Sequence, residues 1–168
     1  MRRQELFADT PADRRRVMSK VRSTGTRLEA RVDALLAELG TPQAVRWSSD
    51  LPGKPDFAWP DRRVGIFVNS CFWHGCPRHF RPPKSRVEYW SAKIRGNRQL
   101  DRVHRQALRG VGWTVLTVWE HDLKSDRLDA TRQRVRRTLR RAGILLLPYI
   151  AWVGYAAALN FSVWRRNA

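Results

Sequence analysis

The amino-acid sequence predicts an α/β domain in which helices flank a mixed central sheet. Two observations support this prediction. The patterned segments follow the order helix, helix, hairpin, loop, helix, strand, helix, and 42% of the residues are hydrophobic, as in ordinary globular proteins. The 168 residues suffice for one domain with a core and are too few for two. We expect the folded domain at residues 26–142, after a basic arm at 1–25 and before an apolar tail at 143–168.

Two helices are predicted before the first strand. The segment 10–13 (Thr-Pro-Ala-Asp) places a capping hydroxyl, a first-turn proline and an acid together, so a short helix should follow to about Val21. The segment 26–29 (Thr-Arg-Leu-Glu) has the capping-box pattern, and apolar residues then recur at helical spacing until Gly40.

Three apolar runs predict the sheet. Residues 56–59 and 64–68 are separated by a Pro-Asp-Arg-Arg turn and indicate a hairpin. Residues 113–119 are rich in β-branched and aromatic side chains and predict an interior strand. Two basic helices, at 86–109 and 126–141, lie on either side of this strand in the sequence, and the apolar face of the first is expected to include Trp90, Ile94, Val103 and Leu108.

The charge of the chain indicates its partner. With 33 Lys and Arg against 15 Asp and Glu, the formal charge is +18, which favours a polyanion, and nucleic acid is the expected one. Only Cys71 and Cys76 are available for a disulfide, and the N-terminus lacks the apolar stretch of a secretory signal, so we expect a cytoplasmic protein.

The tail contains an uncharged segment, residues 144–164, of about the ~20 residues that span a bilayer. Pro148, Gly154, Asn160 and Ser162 weaken it as a spanning helix, although arginines flank it. We therefore expect a tail that packs on the domain or lacks order, with membrane attachment as the less favoured alternative.

A chemical site is predicted where the hairpin meets the irregular loop at residues 71–83. Asp56 begins a strand directly after a Pro- and Gly-rich entry, where its carboxylate could hold Mg²⁺. Taken alone, Asp56 is better explained as an ordinary turn aspartate after proline. The loop that follows the second strand is dense in Cys, His, Pro and aromatic residues, which is typical of a functional loop.

Four segments resemble the very short patch repair endonuclease family: 51–57 (LPGKPDF), 66–77 (IFVNSCFWHGCP), 89–97 (YWSAKIRGN) and 112–121 (GWTVLTVWEH). The resemblance extends over about residues 12 to 140. It implies a restriction-endonuclease-like three-layer fold with a structural zinc loop. It also implies an enzyme that nicks one DNA strand 5′ to the thymine of a T:G mismatch left by deamination of 5-methylcytosine.

The resemblance implies roles for three residues in hydrolysis. Asp56 would bind Mg²⁺ together with the backbone carbonyl of Val68, and His74 would activate water. A metal can neutralise charge on the phosphoryl oxygens, and an imidazole can accept a proton near neutral pH. Asn69 and Ser70 stand where many family members have Asp-Gly, which leaves open a weaker metal site or a different turn.

Glu29 also matches a family active-site position, although its place in the capping box explains it equally well. His104, alone on a basic helix, is expected at the surface.

A second metal site is predicted from four residues that suit a closed structural zinc site, with a pair of inert thiols as the alternative. In the family, the fourth ligand falls at the position of the histidine that follows the last strand. These residues are Cys71, Cys76, His79 and His121.

DNA contacts are predicted for aromatic and polar side chains around the loop. Phe72 and Trp73 would insert between base steps at the mismatch. The resemblance gives Trp90 the same role, with a helix-core position as the alternative, and Lys93 and Asn97 suit phosphate contacts. We expect a monomer that acts on double-stranded DNA at the nucleoid, with mismatch-repair proteins as possible partners. The rival functions are a restriction or defence nuclease on the same scaffold and a non-catalytic DNA-binding module.

Overall fold

The structure is a computed structural model that describes residues 24–41, 43–144 and 147–167. The predicted N-terminal arm and its short helix lie almost wholly outside the described residues. The helices are α1 (Arg27–Glu38), α2 (Val87–Gly110), α3 (Leu128–Ile144) and α4 (Leu147–Asn167). The strands are β1 (Val45–Arg46), β2 (Phe57–Trp59), β3 (Val64–Asn69) and β4 (Thr114–Trp119), and 3₁₀ turns occur at Pro60–Arg62 and Glu120–Leu123.

The described strands form one mixed sheet in the order β1-β2-β3-β4. Strands β1, β2 and β3 are antiparallel neighbours, whereas β4 pairs in parallel with β3 along its whole length. A parallel partner needs a crossover connection, and α2 provides it. The predicted mixed sheet flanked by helices is confirmed, and β1 is a short addition that the sequence pattern did not indicate.

The core forms where α1 and α3 pack on the sheet. Its sheet side includes Phe57 and Ile66, which face each other in register across β2 and β3, and both are fully buried. Val32 from α1 and Val135 from α3 are equally buried. The capping box predicted at the start of α1 is present, with reciprocal hydrogen bonds between Thr26 and Glu29. These hydrogen bonds fix the start of α1.

Two sequence expectations about burial are wrong. The strand at 113–119 was expected in the interior, yet β4 lies at the edge of the described sheet and is mostly half-buried. A run of β-branched and aromatic residues indicates a half-buried strand. It does not tell whether that strand lies at the edge or in the centre of the sheet. Val103 was expected on the apolar face of α2, yet 52% of it is exposed. It lies nine positions, or two and a half helical turns, after the buried Ile94, so it is on the opposite side of the helix.

The apolar tail forms α4, and its described side chains, at residues 152–165, are mostly exposed. The expectation that the tail packs on the domain is therefore not met by these residues. Among the described residues, no helix is both long enough and apolar enough to cross a membrane.

Candidate functional site

Asp56 lies directly before β2, at the end of a loop that is pressed against α2. A Cβ on Gly53 would come within 2.5 Å of the His104 Cβ, and the φ of Gly53 is +76°, so only glycine fits there. His104 is accordingly half-buried, which corrects its expected surface position. The close approach of loop and helix fixes the backbone that delivers Asp56 to the sheet.

The carboxylate of Asp56 is held at β3. Its Oδ2 accepts a hydrogen bond from the backbone N–H of Val68 at 2.7 Å. Burial raises the pKa of Asp56 to about 6, and nearby Glu29 adds repulsion, while the Val68 bond and the charge of His74 act in the opposite direction. A carboxylate whose charge is this poorly solvated gains from a cation beside it.

His74 is oriented by Asp101, a residue of α2. The His74 Nδ1 lies 2.8 Å from the Asp101 Oδ2, and the Asn69 side-chain amide donates to the same oxygen at 3.3 Å. Arg105 Nη1 lies 3.9 Å from that oxygen. An ionised Asp101 accepts the Nδ1–H of His74, which leaves Nε2 as the nitrogen that can accept a proton.

Asp101 is a site residue that the sequence analysis missed. It is one of only two acids in the 24 residues of α2, the other being Glu88 at its start. An acid within a strongly basic helix is the signal that could have identified it. Asn69, the departure from the family pattern, also gains a role, because it is buried and donates to Asp101.

Glu29 is almost fully buried at the start of α1. Its oxygens accept hydrogen bonds from the backbone N–H groups of Gly25 and Thr26 and, at 2.8 Å, from the Trp47 indole. Burial opposes ionisation of Glu29, but the bonds from Thr26 and Trp47 outweigh it and lower its pKa. Glu29 thus joins α1 to the segment after β1, and its charge faces Asp56.

The four predicted metal ligands form one cluster. One ligand atom from each residue lies within 4.8 Å of all the others, in the set Cys71, Cys76, His79 and His121. His121 Nδ1 lies 3.3 Å from Cys71 Sγ and 3.6 Å from Cys76 Sγ, and His79 Nδ1 lies 3.7 Å from Cys76 Sγ. Burial, with a further contribution from Cys76, raises the pKa of Cys71 to about 11. A nearby cation would favour the ionised form of Cys71, and the convergence of the four ligand atoms makes the cluster a candidate metal site.

Two acids that follow β4 support this cluster and were also missed. His121 Nε2 lies 3.3 Å from the Asp122 Oδ1, so the nitrogen that is not turned to the sulfurs faces a carboxylate. Asp122 is held in turn by Arg134 at 2.6 Å. Glu120 accepts the backbone N–H of Cys71 at 2.9 Å. Carboxylate partners of this kind are usual around metal-binding histidines.

The aromatic residues form a cluster between the loop and α2. Ring centroids are 5.2 Å apart for Phe72 and Trp73, 5.3 Å for Phe72 and Trp90, and 5.6 Å for Trp73 and Trp90. All three are half-buried, so each keeps an exposed part. Trp90 thus belongs to this cluster and is not a buried helix-core residue.

Asn97 and Lys93 extend along α2 from the aromatic cluster. The Asn97 amide donates to the Trp73 carbonyl at 2.8 Å, so it anchors the loop in addition to any contact with DNA. Lys93 is half-buried on the same helix. The structure therefore brings the predicted residues together in three adjoining groups: Asp56 with Val68 and His74, the Cys and His cluster, and the aromatic residues.

Comparisons with known proteins agree with this geometry. The family model described as DNA mismatch endonuclease Vsr matches residues 8–79, and the TspO/MBR family model matches residues 128–165. The chain is 43% identical over 132 residues to the type II nicking enzyme V.XorIIP of Xanthomonas oryzae pv. oryzae, covering 77% of this chain and 94% of that protein. It is 38% identical over 114 residues to the DNA mismatch endonuclease Vsr of Escherichia coli, covering 67% of this chain and 72% of that protein.

Proposed function

Since the chain belongs to the Vsr family of DNA endonucleases, we propose that it nicks one strand of double-stranded DNA 5′ to the thymine of a T:G mismatch. The family resemblance seen in the sequence is confirmed, and the enzyme is a hydrolase of phosphodiester bonds. Relatives named as nicking enzymes support a single-strand cut. The observation that carries the proposal is the buried Asp56 beside an oriented His74, at the ends of β2 and β3.

Asp56 and the Val68 carbonyl fit a magnesium ion. Hard divalent cations prefer carboxylate and carbonyl oxygens, and the raised pKa of Asp56 marks a buried negative charge that a cation would relieve. When bound, Mg²⁺ would neutralise charge on the scissile phosphate. We assign both ligands to this chain, and Glu29 adds negative potential behind them.

His74 acts as the general base. Asp101 holds the Nδ1–H, so Nε2 is free to take the proton of the attacking water, and Asp101 stabilises the imidazolium that results. The second strand of the hairpin, β3, carries no acid-x-Lys motif, since it ends with Val68-Asn69 and Ser70 follows. His74 replaces the lysine of such a motif in this role. Because Asp101 lies on α2, the base depends on the packing of the loop against that helix.

Zinc is the metal we assign to the Cys and His cluster. Tetrahedral zinc with bonds of about 2.0–2.3 Å separates its ligand atoms by roughly 3.3–3.8 Å. Three Sγ–Nδ1 distances in the cluster, 3.3, 3.6 and 3.7 Å, fall in this range, and all four ligand atoms lie within 4.8 Å of one another. Zinc would fix the loop that carries Phe72, Trp73 and His74, so its role is structural.

The aromatic cluster supplies mismatch selection. Phe72 and Trp73 are carried by the loop and keep exposed surface, and Trp90 supports them from α2. Unstacking a base step costs a few kcal/mol and costs least at a mismatch, so wedging side chains favour T:G over a matched pair. Lys93 and Asn97 contact phosphates and set the register of the duplex.

One assay tests the proposed function. The purified protein, with Mg²⁺, is incubated with end-labelled matched and T:G duplexes. A single nick in the thymine strand of the T:G duplex alone is the expected result. Cleavage of both duplexes would favour a restriction or defence nuclease, and a gel shift without cleavage would favour a DNA-binding module. We expect a monomer in the cytoplasm, at the nucleoid, and mismatch-repair proteins are candidate partners.

A further inference from the structure

A basic groove lies between helix α3 and strand β4. Its volume is about 430 Å³; Arg134, Arg137 and Arg141 line it, and none of its lining residues is acidic. Both Arg137 and Arg141 are exposed. Within the described residues, the ion pairs of α3 are those of Arg132 and Arg134, so Arg137 and Arg141 have no acidic partner there. The groove therefore carries two positive charges that the described part of the chain does not pair.

The three arginines of the groove form one stripe on α3. At 3.6 residues per turn, positions 134, 137 and 141 fall within roughly 60° of the helix circumference and extend over about 10 Å of its axis. One strand of B-form DNA carries a phosphate about every 3.4 Å of duplex axis, so a strand laid along the stripe would present about three phosphates to it. A guanidinium group also donates in a fork that matches phosphate oxygens. The stripe thus complements a nucleic-acid backbone in both charge and spacing.

The edge of β4 beside the groove is poorly suited to an added peptide strand. The N–H of Thr114 donates to the carbonyl of the residue before β3, so the odd-numbered residues of β4 direct their backbone groups to the free edge. Some of these groups are already engaged, because the Thr117 carbonyl accepts from Arg134 and the Trp119 N–H donates to Asp122. A peptide strand gains its affinity from such backbone bonds. The groove therefore favours a ligand that is recognised by its charge.

The groove and the proposed nuclease site lie on opposite faces of the sheet. Val64 and Ile66 of β3 belong to the core on which α1 and α3 pack. Gly65, between them, faces the other side, where an added Cβ would lie 3.9 Å from the Leu108 side chain of α2. Helix α2 and the loop of residues 71–80 carry the aromatic and polar side chains assigned to the mismatch. A duplex segment bound by them is separated from the groove by the sheet.

The groove also lies at the other end of the strands. Thr114, which lines it, pairs with Val64 at the start of β3. Val68, whose N–H bonds to Asp56, is four residues, or about 13 Å, further along the same strand. A duplex segment in the groove is therefore a different segment from the one that is cut.

We propose that the groove between α3 and β4 is a second DNA site, which holds the phosphate backbone of a duplex segment other than the one at the nuclease site. Arg137 and Arg141 provide the phosphate contacts, and Arg134 adds charge while it holds Asp122. Phosphate contacts carry no sequence information, so this site accepts matched DNA of any sequence. The proposal rests on the proposed function only for the position of the first segment.

Bridging of two duplexes tests this proposal. The full-length protein is bound to a bead-bound T:G duplex in magnesium-free buffer, at less than one chain per duplex, and a labelled matched duplex is then added. We expect the wild type to retain the label in proportion to the protein on the beads. Arg137→Ala/Arg141→Ala should retain at least about tenfold less label and lower the salt slope of retention by about two.

A matched control lies on the same helix. Arg136 and Arg140 are exposed and equally basic, but they lie at least roughly 60° around α3 from the stripe. Arg136→Ala/Arg140→Ala should retain the label like the wild type. Both double variants should melt like the wild type and nick a T:G duplex at its rate. If none of the three proteins nicks, the proposed function fails, whereas the bridging result still decides this proposal.

Three results would overturn the second site. The first is no retention by the wild type, or equal losses in the two double variants. The second is retention only when each bead-bound duplex holds two or more chains, which would indicate self-association. The third is displacement of the label by poly-glutamate at a lower charge concentration than by duplex DNA, which would indicate an acidic protein partner.

Discussion

Two histidine–carboxylate pairs lie on either side of the same loop, and they use opposite ring nitrogens. His74 meets Asp101 through Nδ1 at 2.8 Å, whereas His121 meets Asp122 through Nε2 at 3.3 Å. The remaining nitrogen of His74 is free for a proton, because that side chain is 30% exposed. The remaining nitrogen of His121 faces two sulfurs in a buried position. In each pair, the carboxylate thus determines which ring nitrogen remains available. The surroundings of that nitrogen determine whether it can accept a proton or faces the metal ligands.

Loss of a predicted metal ligand around His121 should have the largest effect. Cys71→Ser, Cys76→Ser or His121→Ala removes a ligand, and the binding free energy of a structural zinc is folding free energy. We expect insoluble or loosened protein, with loss of cooperative thermal unfolding. Elemental analysis of the wild type should find about one zinc per chain. A well-folded wild type without zinc would show that His121 is not part of a structural zinc site.

Loss of His74, the histidine that we assign to accept a proton, should leave the fold intact. His74→Ala is expected to lower the nicking rate on the order of 10²- to 10⁴-fold, since it removes a general base. Duplex affinity should hardly change, because it derives from arginine and lysine. Single-turnover nicking and gel titration separate the two effects. A rate within threefold of wild type would mean that another group accepts the proton.

The two carboxylates should be separable by matched variants. Asp101→Asn is expected to lower the nicking rate on the order of 10- to 100-fold, because the imidazolium of His74 loses its counter-charge. Asp122→Asn should instead weaken zinc binding by about the same factor and leave the rate of the zinc-loaded enzyme close to wild type. Nicking rates and zinc competition with a chelator are measured on both variants. If both variants have the same phenotype, the two pairs do not differ as described.

A smaller effect, on stability, concerns Asp56, whose pKa is also influenced by the charge of His74. Its folded pKa, about 6, lies above that of the unfolded chain, so the folded state binds a proton more tightly. The unfolding free energy of zinc-loaded protein without magnesium should therefore fall as pH rises from about 4 to 6, by at most about 3 kcal/mol. Asp56→Asn should abolish this decrease and all nicking while raising the melting temperature at pH 8.

The control for that measurement is Asp50→Asn, because Asp50 is exposed and accepts a hydrogen bond from the hydroxyl of its neighbour Ser49. In magnesium-free buffer, the zinc-loaded Asp50→Asn variant should melt like the wild type throughout this pH range. An Asp56→Asn variant that is less stable than wild type at pH 8 would show that the carboxylate is well solvated.

Local patterns predicted the parts of the molecule that depend on neighbours in sequence. The capping box gave the start of α1, and the Pro-Asp-Arg-Arg turn gave the β2–β3 hairpin. The clustering of Cys71, Cys76 and His79 also follows from spacing, since backbone hydrogen bonds such as Cys76 N–H to the Cys71 carbonyl fold the loop tightly.

The parts that sequence patterns missed depend on contacts between distant elements. Asp101 is 27 residues from His74, and helical periodicity does not tell which loop will pack over a given turn of α2. Asp122 pairs with Arg134 across a helix boundary, and the edge position of β4 depends on the absence of a further described strand beside it. Family resemblance supplied His121 as a metal ligand, and spacing alone could not have placed it beside the loop.

The most direct test of the two-histidine account is the tautomer of each ring in the zinc-loaded protein, measured by long-range ¹H–¹⁵N correlation NMR at pH 8. We expect the His74 ring to carry a proton on Nδ1, and His121 to carry its proton on Nε2 with no titration across the neutral range. Asp101→Asn should shift the His74 pattern and leave that of His121 unchanged. A His74 ring protonated on Nε2 would contradict the account, because the nitrogen assigned to accept the proton of water would already carry one.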